Sequence, residues 1–269
     1  MLDFTDEQIK RYSRHIILKE IGGKGQKKLL NSKVLVVGAG GLGSPASLYL
    51  AAAGVGTLGI IDYDIVELSN LQRQVLHGTE DVGKAKVESA KETLNRLNPD
   101  VHVIPHFKKL DKENISELID DYDLIVDGVD NFAARYLLND ACIMRGKPLV
   151  EAGILRWDGM IMTIEPNAGP CYRCVFPSPP PPGSVPSCQE AGVLGAIAGV
   201  MGVLQATEAV KYLLGVGDNL IGRMLLFNAL ESQFREVEIS REDKCPVCGN
   251  NPSITSLEEY ELQCSVHNK

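Results

Sequence analysis

Apolar and polar positions along this chain fall into two periods that alternate. From Thr5 to Leu30 the pattern is helical and mostly polar. Val34 to Val37 is a short apolar run, long enough for one buried strand, and a helical pattern from Ser44 to Ala53 follows it. Thr57 to Ile61 is a second strand-like run. Gly83 to Asn98 carries Ala85, Val87, Ala90, Leu94 and Leu97 at helical spacing, and Pro99 ends it. Val101 to Ile104 and Asp123 to Val126 read as further strands. Phe132 to Arg145 reads as a helix that Asp130 or Asn131 can cap. Strands alternating with helices predict βαβ units around a parallel sheet.

After residue 148 the pattern changes. Leu149 to Leu155 and Met160 to Glu165 are two strands joined by Arg156-Trp157-Asp158-Gly159, a hairpin signal, so the sheet is expected to turn antiparallel there. Ser178 to Pro186 is a proline-rich crossing segment with Pro179 to Pro182 consecutive, and its tip, Pro186-Ser187-Cys188, is expected to be accessible. Gly192 to Leu214 is the most apolar stretch. Its length permits a membrane span, but Glu208, Lys211 and its glycines favour a helix buried in the protein or at a subunit interface. Met224 to Ala229 and Arg235 to Ile239 are further strands, and Asn250 to Lys269 is polar. The fold class is therefore α/β: a Rossmann-like, mostly parallel sheet continuing into an antiparallel half.

Composition narrows the partners. The chain has 269 residues, 27 basic against 35 acidic, with net charge −8, which argues against nucleic acid as the main partner. Met1 to Arg14 is charged and has no apolar core, so no secretory signal is expected. Within it Lys10, Arg11, Arg14 and His15 form a basic cluster, for which a solvated helix face is the ordinary fate. Seven cysteines, four of them in two C-x-x-C pairs, point to metal in a reducing, cytoplasmic compartment rather than to disulfides.

Three constellations carry chemistry. Gly38, Gly40 and Gly43 are spaced G-x-G-x-x-G between a strand and a helix. That lets the backbone turn tightly and approach a phosphate at a helix N-terminus, while Asp62, at the end of the next strand, suits ribose hydroxyls. No Lys-Ser/Thr pair follows Gly43, so this is not a Walker A loop, and the motif does not say which nucleotide binds. Cys171, Cys174, Cys245 and Cys248 form two knuckles suited to one closed, structural zinc site. Arg73, Lys86 and Asp130 follow three different strands, on the side where open α/β sheets bind ligands. Two cations and a carboxylate there suit phosphate chemistry, the carboxylate holding Mg²⁺; for each residue alone, a surface ion pair is the ordinary alternative.

Together these residues resemble the E1-like activating enzymes of the ThiF/MoeB/HesA group. The resemblance runs from Arg11-Tyr12-Ser13-Arg14-His15 to Cys248-Gly249. It includes the glycine loop with Gly41, Asp62-Tyr63-Asp64, the run Ser69, Asn70, Arg73 and Gln74, Gly83-Lys84-Ala85-Lys86, Asp130-Asn131 with Arg135, both cysteine pairs, and Cys188 ahead of Glu190 to Gly195. The resemblance implies one activating-enzyme domain over 1–269. Its parts would be N-terminal helices (1–31), a nucleotide-binding half (32–150), an antiparallel half with the zinc site and crossover loop (151–250) and a tail (251–269). It implies ATP-dependent adenylation of the C-terminal glycine of a small ubiquitin-like sulfur carrier ending in Gly-Gly. Pyrophosphate is released and a separate protein donates sulfur, as in molybdopterin- or thiamine-type pathways. Asp62 would bind ribose, Gly41 would face the α-phosphate, and Asn70, Arg73 and Lys86 would hold the triphosphate. Asp130 would hold Mg²⁺ with Asn131 at the nucleotide's border. Arg14 would reach into a partner subunit's site, implying a homodimer, and Cys188 would be the crossover-loop cysteine, its role open. Val129 stands where relatives often have threonine. Two other readings compete: an NAD-dependent oxidoreductase on the same glycine motif, and a non-catalytic scaffold of the same group.

Overall fold

The computed structural model describes residues 4–181, 184 and 191–259. Cys188, the segment around it and the last ten residues of the polar tail lie outside the described residues. The N-terminal polar stretch forms two helices, α1 (Asp6–Ile16) and α2 (Gly22–Asn31). α1 opens on a capping box in which Thr5 Oγ1 accepts from Gln8 N–H and Gln8 returns an acceptor to Thr5 N–H.

Eight strands follow: β1 (Lys33–Val37), β2 (Thr57–Asp62), β3 (His102–Phe107), β4 (Leu124–Asp127), β5 (Leu149–Leu155), β6 (Asp158–Ile164), β7 (Arg223–Asn228) and β8 (Gln233–Glu238). They form one sheet in the order β3-β2-β1-β4-β5-β6-β7-β8, parallel from β3 to β5 and antiparallel from β5 to β8. The hairpin joining β5 and β6 is tighter than its sequence signal: Leu155 pairs with Asp158, so Arg156-Trp157 alone makes the turn, with Arg156 at φ 55°. β3 runs through Pro105, which its position at the sheet edge permits.

The helices are α3 (Gly43–Ala53), α4 (Lys86–Leu97), α5 (Ile115–Asp120), α6 (Phe132–Arg145), the single turn α7 (Tyr172–Val175) and α8 (Gly195–Leu214). β1 is apolar without interruption because both faces are covered: Val34 and Val36 join one core layer, Leu35 and Val37 the other. Burying each such side chain contributes about 1.5–3 kcal/mol. Leu97, expected on the buried stripe of α4, is 41% exposed because it ends the helix.

α8 is long and apolar enough to cross a membrane, and half of it is buried inside the protein. It packs on α3, α2 and strands β4 to β6. Its Gly202 lies so close to α3 that a Cβ there would sit 2.4 Å from Leu42 O. Glu208, in its second half, is pinned to the protein: one carboxylate oxygen accepts from Thr163 Oγ1, Leu220 N–H and Asn219, and the other pairs with Lys211. That is the geometry of a core helix, and the charged pair on which the sequence argument relied is what fixes it.

Candidate nucleotide site and cysteine cluster

The sheet reverses its winding between β1 and β4, and the loops leaving their carboxyl ends part there, which is where open α/β sheets bind ligands. The glycine loop from β1 needs its glycines. Gly38 stands at φ +97° and faces the loop after β4 so closely that a Cβ would lie 2.6 Å from Gly128 O. At Gly43 a Cβ would lie 1.8 Å from Gly38 O. The chain then enters α3 with the N–H groups of Gly40 and Gly41 taking no acceptor among the described residues. Two unclaimed donors at a helix N-terminus are an anion cradle, and a side chain at Gly41 would fill it, meeting Ala198 Cβ at 3.2 Å and Arg73 Cγ at 3.6 Å.

Several of the residues named from sequence come together around this loop. Asp62, at the end of β2, accepts hydrogen bonds from Ala39 N–H and Asp64 N–H, each at 2.8 Å. Burial pushes its carboxyl up from the ordinary value, against the pull of Lys86 and these two donors. Lys86, the first residue of α4, is buried and donates from Nζ to Asp64 Oδ2 at 2.9 Å. Burial raises the Tyr63 phenol, and the carboxylates of Asp64, Asp130 and Asp62 raise it further. Asp130 is exposed and receives Asn131 Nδ2 at 3.4 Å, while Asn131 Oδ1 caps α6 by accepting from Ala134 N–H. Asn70 is buried in a 3₁₀ turn, Leu68–Asn70, where its Oδ1 accepts from Glu67 N–H. Arg73 donates back to Ser69 O at 3.2 Å, and Gln74 is buried beside Gly40 with its Oε1 unpartnered.

Arg14 is not part of this group. α1 docks at the far end of α3, where Tyr12 packs against Gly54 and receives Asn98 Nδ2 at 2.9 Å. α3 separates that contact from the glycine loop by about 16 Å. Arg14 is exposed there.

Two features lay beyond sequence reasoning. His77 reaches the glycine loop, with Nε2 3.0 Å from Ala39 O and Nδ1 2.8 Å from Ser89 Oγ. Below the loop after β4, Asp127, Arg135 and Glu151 form a fully enclosed charge cluster. Arg135 Nε lies 3.3 Å from Asp127 Oδ2 and 2.7 Å from Glu151 Oε1, and its NH2 donates to Val129 O and Ala152 O. Asp127 Oδ1 accepts from Val129 N–H at 2.7 Å, so the cluster sets the backbone that presents Asp130. Glu151 has no aligned donor on either oxygen, and burial and then the neighbouring Asp127 hold its carboxyl well above the usual range against the pull of Arg135. Between the unfolded value and the raised folded one, the folded state holds a proton that the unfolded state has lost. That contribution is complete below the unfolded carboxyl pKa and is lost as pH rises toward the folded one. Glu151→Gln mimics the protonated acid. Relative to this variant, the stability of the wild type is expected to fall by about 1.4 kcal/mol per pH unit above roughly pH 4.5, measured by denaturant unfolding. Parallel stability curves for the two proteins would refute a protonated Glu151.

Cys171, Cys174, Cys245 and Cys248 meet with all four sulfurs within 4.8 Å of one another. The Cys171–Cys245 and Cys174–Cys248 separations, 3.5 and 3.4 Å, are too long for disulfides. They fit the edges of a tetrahedron around a metal with bonds of about 2.3 Å, as zinc has with thiolates. Glu242 N–H also donates to Cys174 Sγ at 3.4 Å. Between the first two cysteines, Arg173 is buried and bonds Asp140 of α6 through both Nε and NH2 at 2.7 Å. The cysteine cluster is thus fastened to the helix whose other end carries Asn131.

The ThiF family model matches residues 12–247. Among curated proteins, the Adenylyltransferase and sulfurtransferase MOCS3 of Aedes aegypti is 51% identical over 263 residues, covering 97% of this chain and 60% of that protein. The Sulfur carrier protein adenylyltransferase of Thermus thermophilus is 49% identical over 268 residues, covering 98% of this chain and 99% of that protein. This chain therefore spans about 60% of the length of the MOCS3 relative but matches the Thermus protein end to end. Among solved structures, E. coli MccB superposes with TM-score 0.80 at 25% identity, covering 97% of this chain and 76% of that one. The same protein solved with ATP gives 0.78 at 26%, covering 89% and 75%.

Proposed function

Because the chain belongs to the ThiF family, we propose that it uses ATP to adenylate the C-terminal glycine of a small ubiquitin-like sulfur carrier. The carrier's terminal carboxylate attacks the α-phosphorus, the bond to the bridging oxygen breaks, and pyrophosphate leaves. The acyl-adenylate is then open to a sulfur donor, which we place on a separate protein. The observation that carries this reading is the junction of the free Gly40 and Gly41 N–H groups with buried Lys86, paired with Asp64 and pulling on the Asp62 carboxyl at the mouth of the sheet. Gly40 and Gly41 cradle phosphate, Asp62 takes ribose hydroxyls, and Asn70, Arg73 and Lys86 hold the triphosphate, the two cations offsetting its charge. Asp130 and Asp64 would hold Mg²⁺, which would offset the negative charge of the phosphates. An oxidoreductase has no use for Lys86 and Asp130 at this position, and a scaffold has no reason to keep them. Carrier-dependent exchange of labelled pyrophosphate into ATP tests the proposal; NADH binding with no exchange would favour the oxidoreductase.

The cysteine cluster is assigned to a structural zinc in a cytoplasmic, reducing setting. Protein purified without chelator is expected to contain about one zinc per chain by elemental analysis. Cys171→Ser should lower the unfolding midpoint and lose the metal, since binding free energy at such a site is folding free energy. A metal-free protein of unchanged stability would remove zinc from the account.

A further inference from the structure

We propose that His77 is a positioning residue for the phosphate-binding loop, holding the Ala39 carbonyl through an Nε2–H donor so that the Gly40 and Gly41 N–H groups stay free for phosphate. The inference rests on the nucleotide reading above.

The glycine loop has little else to fix it. Glycines give a backbone freedom that must be removed before it can serve as a preorganised cradle. Gly38 N–H donates to Ile61 O at 2.7 Å, and Ala39 N–H donates to Asp62 Oδ2 at 2.8 Å. On the opposite side of the same residue, Ala39 O meets His77 Nε2 at 3.0 Å and, at the longer distance of 3.4 Å, Ser44 Oγ. The Ala39 unit is thus gripped at both its N–H and its carbonyl, and the free N–H groups are those that follow it.

His77 belongs to a segment that moulds the loop residue by residue. Arg73 lies against Gly41, Gln74 against Gly40 and His77 against Ala39. The segment is held in turn by Gln74 N–H to Asn70 O and His77 N–H to Gln74 O.

Geometry fixes where the ring proton sits. A carbonyl only accepts, so Nε2 must carry hydrogen. Nδ1 then takes the Ser89 hydroxyl proton in the neutral ring. Neutrality agrees with burial, which pushes the imidazole below its usual value; Lys86 pushes the same way, while Ala39 O, Asp81 and Asp62 oppose it. Asp81 nearby accepts from Gly78 N–H and Lys84 Nζ, and these donors overcome burial and hold its carboxyl down to about 2.

The test compares affinity for ATP and for adenosine, which lacks the phosphates, in wild type, His77→Asn and His77→Gln. Asparagine places its amide near Nδ1 and cannot reach Ala39 O, whereas glutamine places its amide near Nε2. His77→Asn is expected to weaken ATP binding about ten-fold and leave adenosine unchanged, with His77→Gln recovering most of the loss. In the wild type, long-range ¹H–¹⁵N spectra at neutral pH should show His77 protonated on Nε2 and bare on Nδ1. A His77→Asn protein that binds ATP like wild type, or that loses ATP and adenosine equally, overturns the inference. So does a ring protonated on Nδ1 alone, a readout that needs no variant to fold. A wild type that binds neither ligand overturns the nucleotide reading itself.

Discussion

Lys86→Ala is expected to lower carrier-dependent ATP–pyrophosphate exchange by about 10²–10³, with Asp130→Ala falling as far. The lysine is one of few cations enclosed in the site, and its ammonium lies 2.9 Å from Asp64, next to the two carboxylates that bracket the loop end of β2. In a dry site a single charge aimed at phosphate is worth far more than the same charge in water. The loss should appear in activity and not in folding. Asp64 is half exposed, so the variant strands a carboxylate in water rather than in the core. The measurement is exchange rate alongside thermal unfolding. Near wild-type exchange in either variant removes that residue from the chemistry, and a collapsed unfolding midpoint in Lys86→Ala makes the lysine structural.

Arg14→Ala and Asp130→Ala are each expected to be inactive alone and to restore activity when mixed. Arg14 is exposed on α1, which packs at the end of α3 opposite the glycine loop, so its own chain's site is out of reach. An arginine from a neighbouring chain stabilises phosphate charge as an arginine finger does. We propose a homodimer that brings it there. With random exchange of subunits half the dimers are mixed, and each carries one site with both native residues. Activity is then expected at about a quarter of wild type, read after co-refolding or prolonged mixing. Exchange of subunits without recovery would return Arg14 to a role in its own chain.

What the chain declared locally, the structure follows closely. β1, its glycine turn and α3 are legible because a doubly buried strand has no polar positions and the turn admits no side chains at Gly38 and Gly43. α6 and β5 fall on their predicted residues because Asn131 caps one and Gly146, in the left-handed conformation, ends it. α5 escaped notice because it is a six-residue helix in a charged stretch, too short for its period to register. The site was half legible. Arg73 and Lys86 both follow β2 and Asp130 follows β4, so two strands deliver them where the sequence suggested three, and topology gathers them because β2 and β4 flank β1. His77 is far in sequence from Ala39, and no local pattern separates it from a histidine in any loop. Glu151 looked like the polar face of a strand, yet β5 lies mid-sheet and its carboxyl is wholly enclosed with Asp127 and Arg135.

The most direct test of the central claim is the fate of the carrier's C-terminus. The protein is incubated with Mg-ATP, inorganic pyrophosphatase and a small ubiquitin-like protein ending in Gly-Gly, and the carrier is read by intact mass spectrometry under acid quench. A carrier heavier by one adenylyl group is expected, and that gain is absent when the terminal glycine is deleted or when Lys86 is replaced by alanine. A carrier of unchanged mass across candidate Gly-Gly proteins, with ATP either untouched or hydrolysed, would contradict that claim.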